Sequence, residues 1–360
     1  MAQFFVLDEN YQLNAVIDDF KSVIWAERFY ENGDFEIYCP NTSYNFRALY
    51  VPQNMYTPRF IMRADDHTKL GIITDVQYTH SVDDGDMIIC KGYTDDYILH
   101  YRVIYEQSTY VGDYEYCIRH MVRNALIDSE SNITEREMSN FKLGPWVGIP
   151  GDYVRLQFQG DYLDEAISKQ SKDYGIGYQV SFDPVNNDFI FNILKSVERY
   201  NVIFSAGLDN LLKSEYNIGT IPNTVYAIGE GQGADKYVGT YNIGATRSGI
   251  NRKEFYINAE KVSSNAESFS ALTYENLLRN RAREGFWDKF KNNETTKSSV
   301  APNSYKLGVD YFLGDVVKVV IDAGDQGREK KVLSQKIIET VECWDENGYT
   351  CEPTFEAVEG

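Results

Sequence analysis

Short apolar segments separated by polar turns run through the first hundred residues, and this pattern restricts that part of the chain to strands. Asn32-Gly33, which separates two of these segments, is among the strongest short hairpin signals. Strands that recur about every 8–12 residues between polar turns are typical of a β-barrel or a β-sandwich. The predicted strands are Phe4–Leu7, Leu13–Ile17, Lys21–Tyr30, Phe35–Cys39, Arg59–Arg63, Gly71–Thr79 and Met87–Gly92.

The pattern changes near residue 100, where apolar residues take up helical spacing. Tyr116–Ile127 predicts an amphipathic helix on this criterion. A second, shorter helix is predicted after Asp161, which is a candidate N-cap residue. A hairpin formed by Tyr178–Phe182 and Phe189–Leu194 follows. Residues 101–200 therefore predict a mixed α+β domain that is inserted between β-rich parts.

Strands return after about residue 200, together with one longer helix that we predict over about 273–291. The closing strands are predicted at Val316–Ile321, Lys331–Val341 and Tyr349–Phe355. Glu346-Asn347-Gly348 repeats the earlier Glu31-Asn32-Gly33. This repeat is weak evidence for duplication, because Asn-Gly turns recur in β proteins. The chain therefore predicts two β-rich parts around the insert.

The chain of 360 residues has a net charge of -19, and this acidity excludes some functions. A protein that grips nucleic acid presents a basic face to phosphate, and docking on anionic lipid has the same requirement. No apolar stretch has the length of a membrane span, and residues 1–9 lack the features of a secretory signal. We therefore expect no direct insertion of this chain into a membrane.

The five cysteines are isolated in the sequence, and none forms a Cys-x-x-Cys motif. Cys343 and Cys351 flank a predicted turn at Asn347-Gly348. A two-residue loop would place Cys351 opposite Trp344, whereas a three-residue loop would place the two cysteines opposite each other. The sequence leaves this register open. We favour free buried thiols, as is usual for a protein assembled in a cytosol.

The sequence contains no strong catalytic signature. Gly229-Glu230-Gly231-Gln232-Gly233-Ala234 fits a dinucleotide-binding pattern, but residues 236–241 look extended where the pattern needs a helix. The four histidines lack metal-ligand spacing, and a Cys–His nucleophile pair has no local signature. Acidic pairs such as Asp95-Asp96 fit turn chemistry better than a glycosidase site. We therefore predict no catalytic, cofactor-binding or metal-binding residues, and no cofactor.

Two groups of residues remain as candidate contact residues. Arg279, Arg281 and Arg283 lie in the predicted long helix, where we predict contact with a neighbouring subunit or with solvent. A dense set of tyrosines predicts either a carbohydrate platform or strand packing with subunit contact. We favour the second interpretation, because tyrosine is common in both settings. These tyrosines are Tyr78, Tyr93, Tyr97, Tyr101, Tyr105, Tyr110, Tyr114 and Tyr116.

Several blocks of the sequence resemble a siphophage tail-tip hub family. In the opening signature of that family, a W-x-x-R-Y strand leads into a G-D-F-E-L-x-x-P strand, and residues 19–40 resemble it. Cys90-Lys91-Gly92-Tyr93 resembles the next block. Gly314-Asp315-Val316-Val317 and residues 339–355 resemble the closing hairpin, so the blocks bracket nearly the whole chain.

The resemblance implies a baseplate or tail-tip hub, related to the trimeric hub of contractile phages and injection machines. Each subunit of such a homotrimer carries two β-barrel tube domains. Three subunits then form a pseudo-six-fold ring that adapts the hexameric tail tube to the tip. We therefore expect a mainly β chain with two β-barrel tube domains of related topology, at residues 1–100 and 201–360. The peripheral α+β insert is expected at residues 101–200.

The expected function is that of a structural virion protein without catalysis, which lines the channel for DNA in transit. An acidic wall suits this role, because like charge keeps DNA from adhering. The implied partners are a distal tail protein or tail tube protein, a tape-measure protein, and further tip or receptor-binding proteins. The expected location is the virion tail tip, after assembly in the host cytoplasm. The alternatives are a receptor- or carbohydrate-binding tail protein and, less favoured, a tail-associated cell-wall hydrolase.

Overall fold

The structure is a computed structural model that describes residues 2–50, 57–82, 85–128, 133–149, 154–231, 236–259, 271–290, 294–301, 304–323 and 329–358. Contacts group the chain into two compact units. The larger unit combines Met1–Glu215 with Thr296–Gly360, and the smaller unit is Tyr216–Thr295. The domain boundaries near residues 100 and 200 therefore remain a prediction from the sequence.

Strands dominate the structure, which confirms the prediction of a mainly β chain. The strands are β1 (Phe4–Leu7), β2 (Leu13–Ile17), β3 (Ser22–Arg28), β4 (Asp34–Pro40), β5 (Phe60–Arg63), β6 (Leu70–Ser81), β7 (Gly85–Thr94), β8 (Val103–Ile104), β9 (Ser108–Gly112), β10 (Phe141–Leu143), β11 (Val154–Phe158), β12 (Asp161–Tyr162), β13 (Gly177–Asp183), β14 (Asp188–Leu194), β15 (Glu198–Ser205), β16 (Leu211–Ile218), β17 (Thr224–Ile228), β18 (Val238–Asn242), β19 (Glu254–Asn258), β20 (Glu294–Val300), β21 (Val316–Ala323), β22 (Glu329–Asp345) and β23 (Gly348–Ala357). The helices are α1 (Ser43–Leu49), α2 (Tyr114–Leu126), α3 (Leu163–Tyr174) and α4 (Ala271–Phe290), with short 3-10 turns at Asp95–Tyr101, Thr134–Arg136, Ala206–Leu208 and Gly249–Asn251.

One sheet of 13 strands joins the beginning of the chain to its end. Its order is β16-β20-β23-β22-β3-β4-β7-β6-β5-β1-β2, and β21 with β15 branches from β22. Strand β22 makes this possible because it is 17 residues long and changes neighbours along its length. Its first half pairs with β21 and its second half with β3. Among the described residues no strand pairing closes this sheet into a barrel, so the two β-barrels stay a prediction.

Strands β1, β5 and β6 are buried on both faces over at least part of their length, and alternate side chains enter two different cores. Phe4, Val6 and Ile61 belong to an inner core enclosed by the first seven strands. Phe60 and Met62 belong to a second core, which they share with α2, α3 and the sheet of β10, β14 and β13. The insert therefore packs directly on the outer face of the large sheet.

The smaller unit is a three-stranded sheet, in the order β18-β17-β19, with helix α4 packed on one face. Tyr274, Leu278 and Ala282 are buried at four-residue spacing, so a single stripe of the helix contacts the sheet. The helix lies close to β18 at Gly239, where an added Cβ would sit 2.3 Å from the backbone carbonyl carbon of Leu278. The helix predicted over about 273–291 agrees with α4 to within a few residues.

The two Asn-Gly signals form different turns from the tight turns that they predict. Strand β3 pairs with β4 only as far as Ala26, which lies opposite Asp34, but it continues to pair with β22 up to Arg28. Residues Glu27–Gly33 therefore connect the paired parts of β3 and β4, and this connection is longer than a tight turn. At the other hairpin Asp345 pairs with Gly348, so the two loop residues are Glu346 and Asn347 rather than Asn347 and Gly348.

This turn decides the register of the two cysteines near the end of the chain. Cys343 pairs with Thr350 and Cys351 pairs with Glu342, which matches neither of the registers considered from the sequence. Neighbouring residues of a strand point to opposite faces, so the two thiols lie on different faces of the hairpin. All five cysteines are free, and four of them are buried.

Candidate functional site

Three parts of the larger unit meet at Phe29, which is fully buried. Its backbone N–H donates to the Ile338 carbonyl of β22 at 2.9 Å, and its carbonyl accepts the Tyr178 N–H of β13 at 3.2 Å. An added Cβ would lie 2.4 Å from the Phe29 ring at Gly177 and 2.1 Å from it at Gly314. Glycines at both positions therefore leave the space that the ring fills.

The side chains beside Phe29 tie the same parts together with polar contacts. Lys336 Nζ donates to the Gly175 carbonyl at the end of α3 at 2.9 Å and lies 5.3 Å from the Phe29 ring centroid. The Tyr30 hydroxyl donates to Glu356 of β23. Burial lowers the pKa of Lys336, because the charged ammonium is removed from water. This junction fixes the insert to the strands from both ends of the chain.

A buried ion pair crosses the inner core from β5 to β22. Arg63 contacts Glu342, and each side chain is only 7% exposed. The Tyr349 hydroxyl donates to Glu342 at 2.8 Å. The Arg63 guanidinium also lies 4.8 Å from the Trp344 ring, which adds a cation–π contact. Hydrogen bonds to Asp65 and Glu342 raise the pKa of Arg63 despite its burial, so the guanidinium stays charged.

A stack of four aromatic rings begins in β7, continues through the 3-10 turn Asp95–Tyr101 and ends in β12. Tyr93 stacks on Tyr97 at 4.2 Å, Tyr97 on His100 at 4.7 Å, and His100 on Tyr162 at 4.2 Å. The His100 ring is held by Asp164, whose carboxylate lies 3.0 Å from Nδ1. The faces of Tyr97 and His100 are therefore covered by other rings, and each end ring, Tyr93 or Tyr162, has one face covered by its neighbour in the stack. This geometry disfavours a carbohydrate platform, which needs free aromatic faces.

Of the other predicted tyrosines, Tyr101 packs edge-on against Tyr97 with ring centroids 5.5 Å apart. Tyr110 and Tyr116 contact His120 in α2, Tyr114 is buried against Ser171, and Tyr78 contacts Phe46. The predicted tyrosines therefore lie at several separate positions in the structure and do not form one continuous surface. Sequence reasoning missed the contributions of His100, Tyr162 and Asp164 to the stack. Only the dense run of tyrosines before them pointed to this region.

The three predicted contact arginines differ in their surroundings. Helix α4 presents Arg279 and Arg283 to solvent, on the side away from its buried stripe. Arg281 is partly buried and forms an ion pair with Glu284 at 3.0 Å. The structure therefore leaves Arg279 and Arg283 exposed as a basic pair one turn apart. Whether they contact another subunit stays a prediction.

The Gly-rich segment after β17 is not followed by a helix. Gly229 hydrogen-bonds to the Tyr237 carbonyl at 2.9 Å, and β18 begins at Val238. An added Cβ at Gly229 would lie 2.6 Å from the Tyr274 hydroxyl, so contact with α4 explains the glycine. Residues 232–235 of this motif lie outside the described residues. The strand–turn–helix context of a dinucleotide site is therefore missing from the described part of this segment.

The acidic pairs have two kinds of environment. Asp66 accepts the Thr68 N–H at 3.0 Å, which is the turn contact expected from the sequence. Asp95 and Asp96 are instead buried, as is Asp164. The pair at 83–84 lies outside the described residues.

The described residues contain no group of three or more His, Cys, Asp or Glu side chains arranged to hold a metal ion. Within that same part of the chain, no helix combines the length and hydropathy needed to cross a membrane.

Comparisons with solved structures show the fold over the full length of the chain. A 43 kDa tail protein of prophage MuSo2 from Shewanella oneidensis matches with a TM-score of 0.57 and 11% identity, covering 98% of both chains. A tail protein from Neisseria meningitidis matches with a TM-score of 0.58 and 10% identity, covering 98% of this chain and 96% of the other. Prophage tail protein gp18 from Listeria monocytogenes matches with a TM-score of 0.53 and 12% identity, covering 99% and 94%. At these identities the likeness shows a shared fold.

Sequence comparison assigns the family. The comparison with curated proteins gives no match. The family described as Siphovirus ReqiPepy6 Gp37-like protein matches residues 3–355, which confirms the resemblance to a siphophage tail family. The chain, which has the fold of phage tail proteins, therefore belongs to the Siphovirus ReqiPepy6 Gp37-like protein family.

Proposed function

We propose that this protein is a structural, non-catalytic component of the siphophage tail tip, and that three copies form its hub. The observation that carries the proposal is the fold likeness to tail proteins over 98% of the chain. In the proposed ring each copy contributes two β-barrel tube domains of related topology. Three copies then present six similar edges to a six-fold tail tube.

Contacts inside the first part of the large sheet support a barrel-like curvature. The strands β3, β4, β7 and β6 separate β22 from β5 in the sheet order. Even so, Arg63 of β5 reaches Glu342 of β22, and Phe4 of β1 lies 5.6 Å from Trp344 of β22. Side chains that far apart in a flat sheet touch only when the sheet curls around its inner core. This curvature is what a tube domain requires.

The last part of the chain supports a second enclosed core. Phe204 of β15 contacts Phe355 of β23 and Tyr311, with ring centroids 5.5 Å and 5.6 Å apart. All three side chains are buried. They connect strands that branch on both sides of β22, as the core of a second tube domain would.

The smaller unit supplies a candidate contact between copies. Residues 216–295 contain ten Lys and Arg and nine Asp and Glu, whereas the rest of the chain contains 25 and 45. The acidity of the protein is therefore confined to the larger unit. Arg279 and Arg283 on α4 match this charge, so we place them against the acidic larger unit of a neighbouring copy. Arg281 is excluded from this contact, because Glu284 already neutralises it.

The proposed partners follow from the position in the tail. A distal tail protein or tail tube protein lies on one side of the ring, and further tip or receptor-binding proteins lie on the other. A tape-measure protein and then DNA pass through the channel, and the acidic wall keeps DNA from adhering. The protein is proposed to reach the virion tail tip after assembly in the host cytoplasm.

Cryo-electron microscopy of assembled tails tests the proposal directly. We expect three copies around the channel, with the two tube domains alternating and the insert at the periphery. Six copies, one copy, or a channel dominated by Arg279 and Arg283 would contradict it. The charge reversal R279E/R283E is expected to reduce incorporation into tails at least tenfold, whereas R247E, on an exposed loop of the same unit, serves as the matched control.

A further inference from the structure

Three buried carboxyl groups and one partly exposed ammonium group lie together where the insert meets the large sheet. Glu27 belongs to β3, Lys69 to the turn before β6, and Asp95 and Asp96 to the 3-10 turn after β7. The exposed fraction of Glu27 is 8%, that of Asp95 is 4%, and that of Asp96 is 5%. These four residues are called the carboxyl cluster below.

The carboxyl cluster lies behind the docking edge of the insert. Strand β13 is the edge strand of its own sheet, and its outward N–H groups bond to the large-sheet side of the joint. Tyr178 N–H donates to the Phe29 carbonyl and Phe182 N–H to the Thr68 carbonyl, both at 3.2 Å. Between them, Val180 N–H donates to Oδ1 of Asp96. The central bond of the three therefore depends on a titratable group.

Within the carboxyl cluster, the Glu27 carboxylate has an ammonium partner. Lys69 Nζ lies 2.6 Å from Glu27 Oε1, so this carboxylate is neutralised by an ammonium group. The Thr94 hydroxyl lies 3.2 Å from Asp96 Oδ2. Asp95 Oδ2 is buried and has no hydrogen-bond partner among the described residues. Asp95 and Asp96 therefore interact through their charges, and among the described residues no second cation balances them.

The electrostatics follow from this count of charges. With every group ionised, the cluster would hold three negative charges and one positive charge in the protein interior. Burial, followed by the charge of Asp96, raises the pKa of Asp95 well above its usual range. Burial also raises the pKa of Asp96 to about 7. The other groups that face the cluster add no positive charge to offset its negative charge, since Asp66 is acidic and the Tyr178 phenol is neutral.

We propose that the carboxyl cluster is a proton-dependent joint, which holds the insert on the large sheet when Asp95 and Asp96 are protonated and weakens when Asp96 loses its proton. A protonated Asp96 keeps both of its contacts. Its Oδ1 still accepts the Val180 N–H, and its Oδ2–H donates to Thr94 Oγ1 instead of accepting from it. Protonation thus removes a buried charge without breaking a hydrogen bond.

The sign of the pH dependence follows from linkage. The carboxyl group of Asp96 binds its proton more tightly in the folded protein than in the unfolded chain, where the ordinary pKa is about 3.9. Its stabilising contribution is therefore complete below about pH 4 and is lost as the pH rises through about 7. One such proton makes the unfolding equilibrium constant rise about tenfold per pH unit between these limits.

Amide hydrogen exchange at Tyr178, Val180 and Phe182, corrected for the intrinsic pH effect, measures the joint locally. In the full wild-type chain we expect the protection of these amides to fall about tenfold between pH 6 and pH 8. The variant D96N is neutral at every pH and reproduces the hydrogen bonds of the protonated acid. We expect it to remove this pH dependence and to be more protected than the wild type at pH 8.

The variant D18N is the matched control, because Asp18 is an exposed carboxyl group. It is expected to keep the wild-type pH dependence. A wild-type protection that does not change between pH 6 and pH 8 would overturn the proposal, as would a D96N variant that keeps the wild-type slope. The wild-type measurement decides the matter alone if D96N does not fold.

Discussion

Replacement of Arg63 by Met removes the cation from the buried pair that joins β5 to β22. Glu342 then keeps the Tyr349 hydroxyl, at 2.8 Å, as a hydrogen-bond donor, but has no ion-pair partner among the described residues. Because both side chains of the pair are only 7% exposed, the stranded carboxylate is poorly hydrated. Breaking a buried pair in this way costs about 3–5 kcal/mol. We expect R63M to lower the free energy of unfolding by this amount.

Urea unfolding at pH 7, followed by tryptophan fluorescence, measures the loss. Trp344 is a suitable reporter, because its ring lies 4.8 Å from the Arg63 guanidinium. The double variant R63M/E342M removes both charges, and we expect it to recover most of the lost stability. The control is R123M, whose ion pair with Asp128 is largely exposed and is expected to contribute less than about 1 kcal/mol.

Two results would refute this reasoning. One is an R63M variant that loses no more stability than R123M, which would mean that water reaches Glu342. The other is a double variant that is less stable than R63M, because the cost would then come from lost packing rather than from an unpaired charge.

Three further changes test other contacts. Gly314 and Gly308 both have positive φ, at 87° and 80°, but of the two only Gly314 approaches the Phe29 ring. G314A should therefore lower the free energy of unfolding by about 1–3 kcal/mol more than G308A does, as measured by thermal or urea unfolding. Glu115 is fully buried and accepts hydrogen bonds from the backbone N–H groups of Val147 and Gly148 at 2.8 Å and 2.9 Å. E115Q should therefore lower the melting temperature measurably and increase proteolysis within residues 144–149, and unchanged cleavage there would contradict the proposed role of Glu115 in holding this segment. Thiol reagents should label the partly exposed Cys343 first and the buried cysteines only on unfolding, because burial raises the thiol pKa, to about 12 for Cys39; rapid native labelling of Cys39 would contradict this order.

The sequence by itself determined many of the segments that become strands and helices, although it gave no signal for α1 (Ser43–Leu49). Alternating and continuous apolar runs set the strands, as in Phe60–Arg63, whose residues are buried on both faces. Apolar residues at helical spacing set the helices, as with Tyr274, Leu278 and Ala282 on α4. The opening and closing blocks also carried the family resemblance. These properties are local, so a single stretch of sequence contains the information that decides them.

Only the tertiary structure decided which segments become neighbours. The change of partners along β22, the place of Phe29 between Gly177 and Gly314, and the pairing of Arg63 with Glu342 all join residues far apart in the chain. The same holds for Asp95 and Asp96, whose sequence fits an exposed turn but which the insert covers. Burial and charge pairing depend on what the rest of the chain brings to a position, and no local pattern records that.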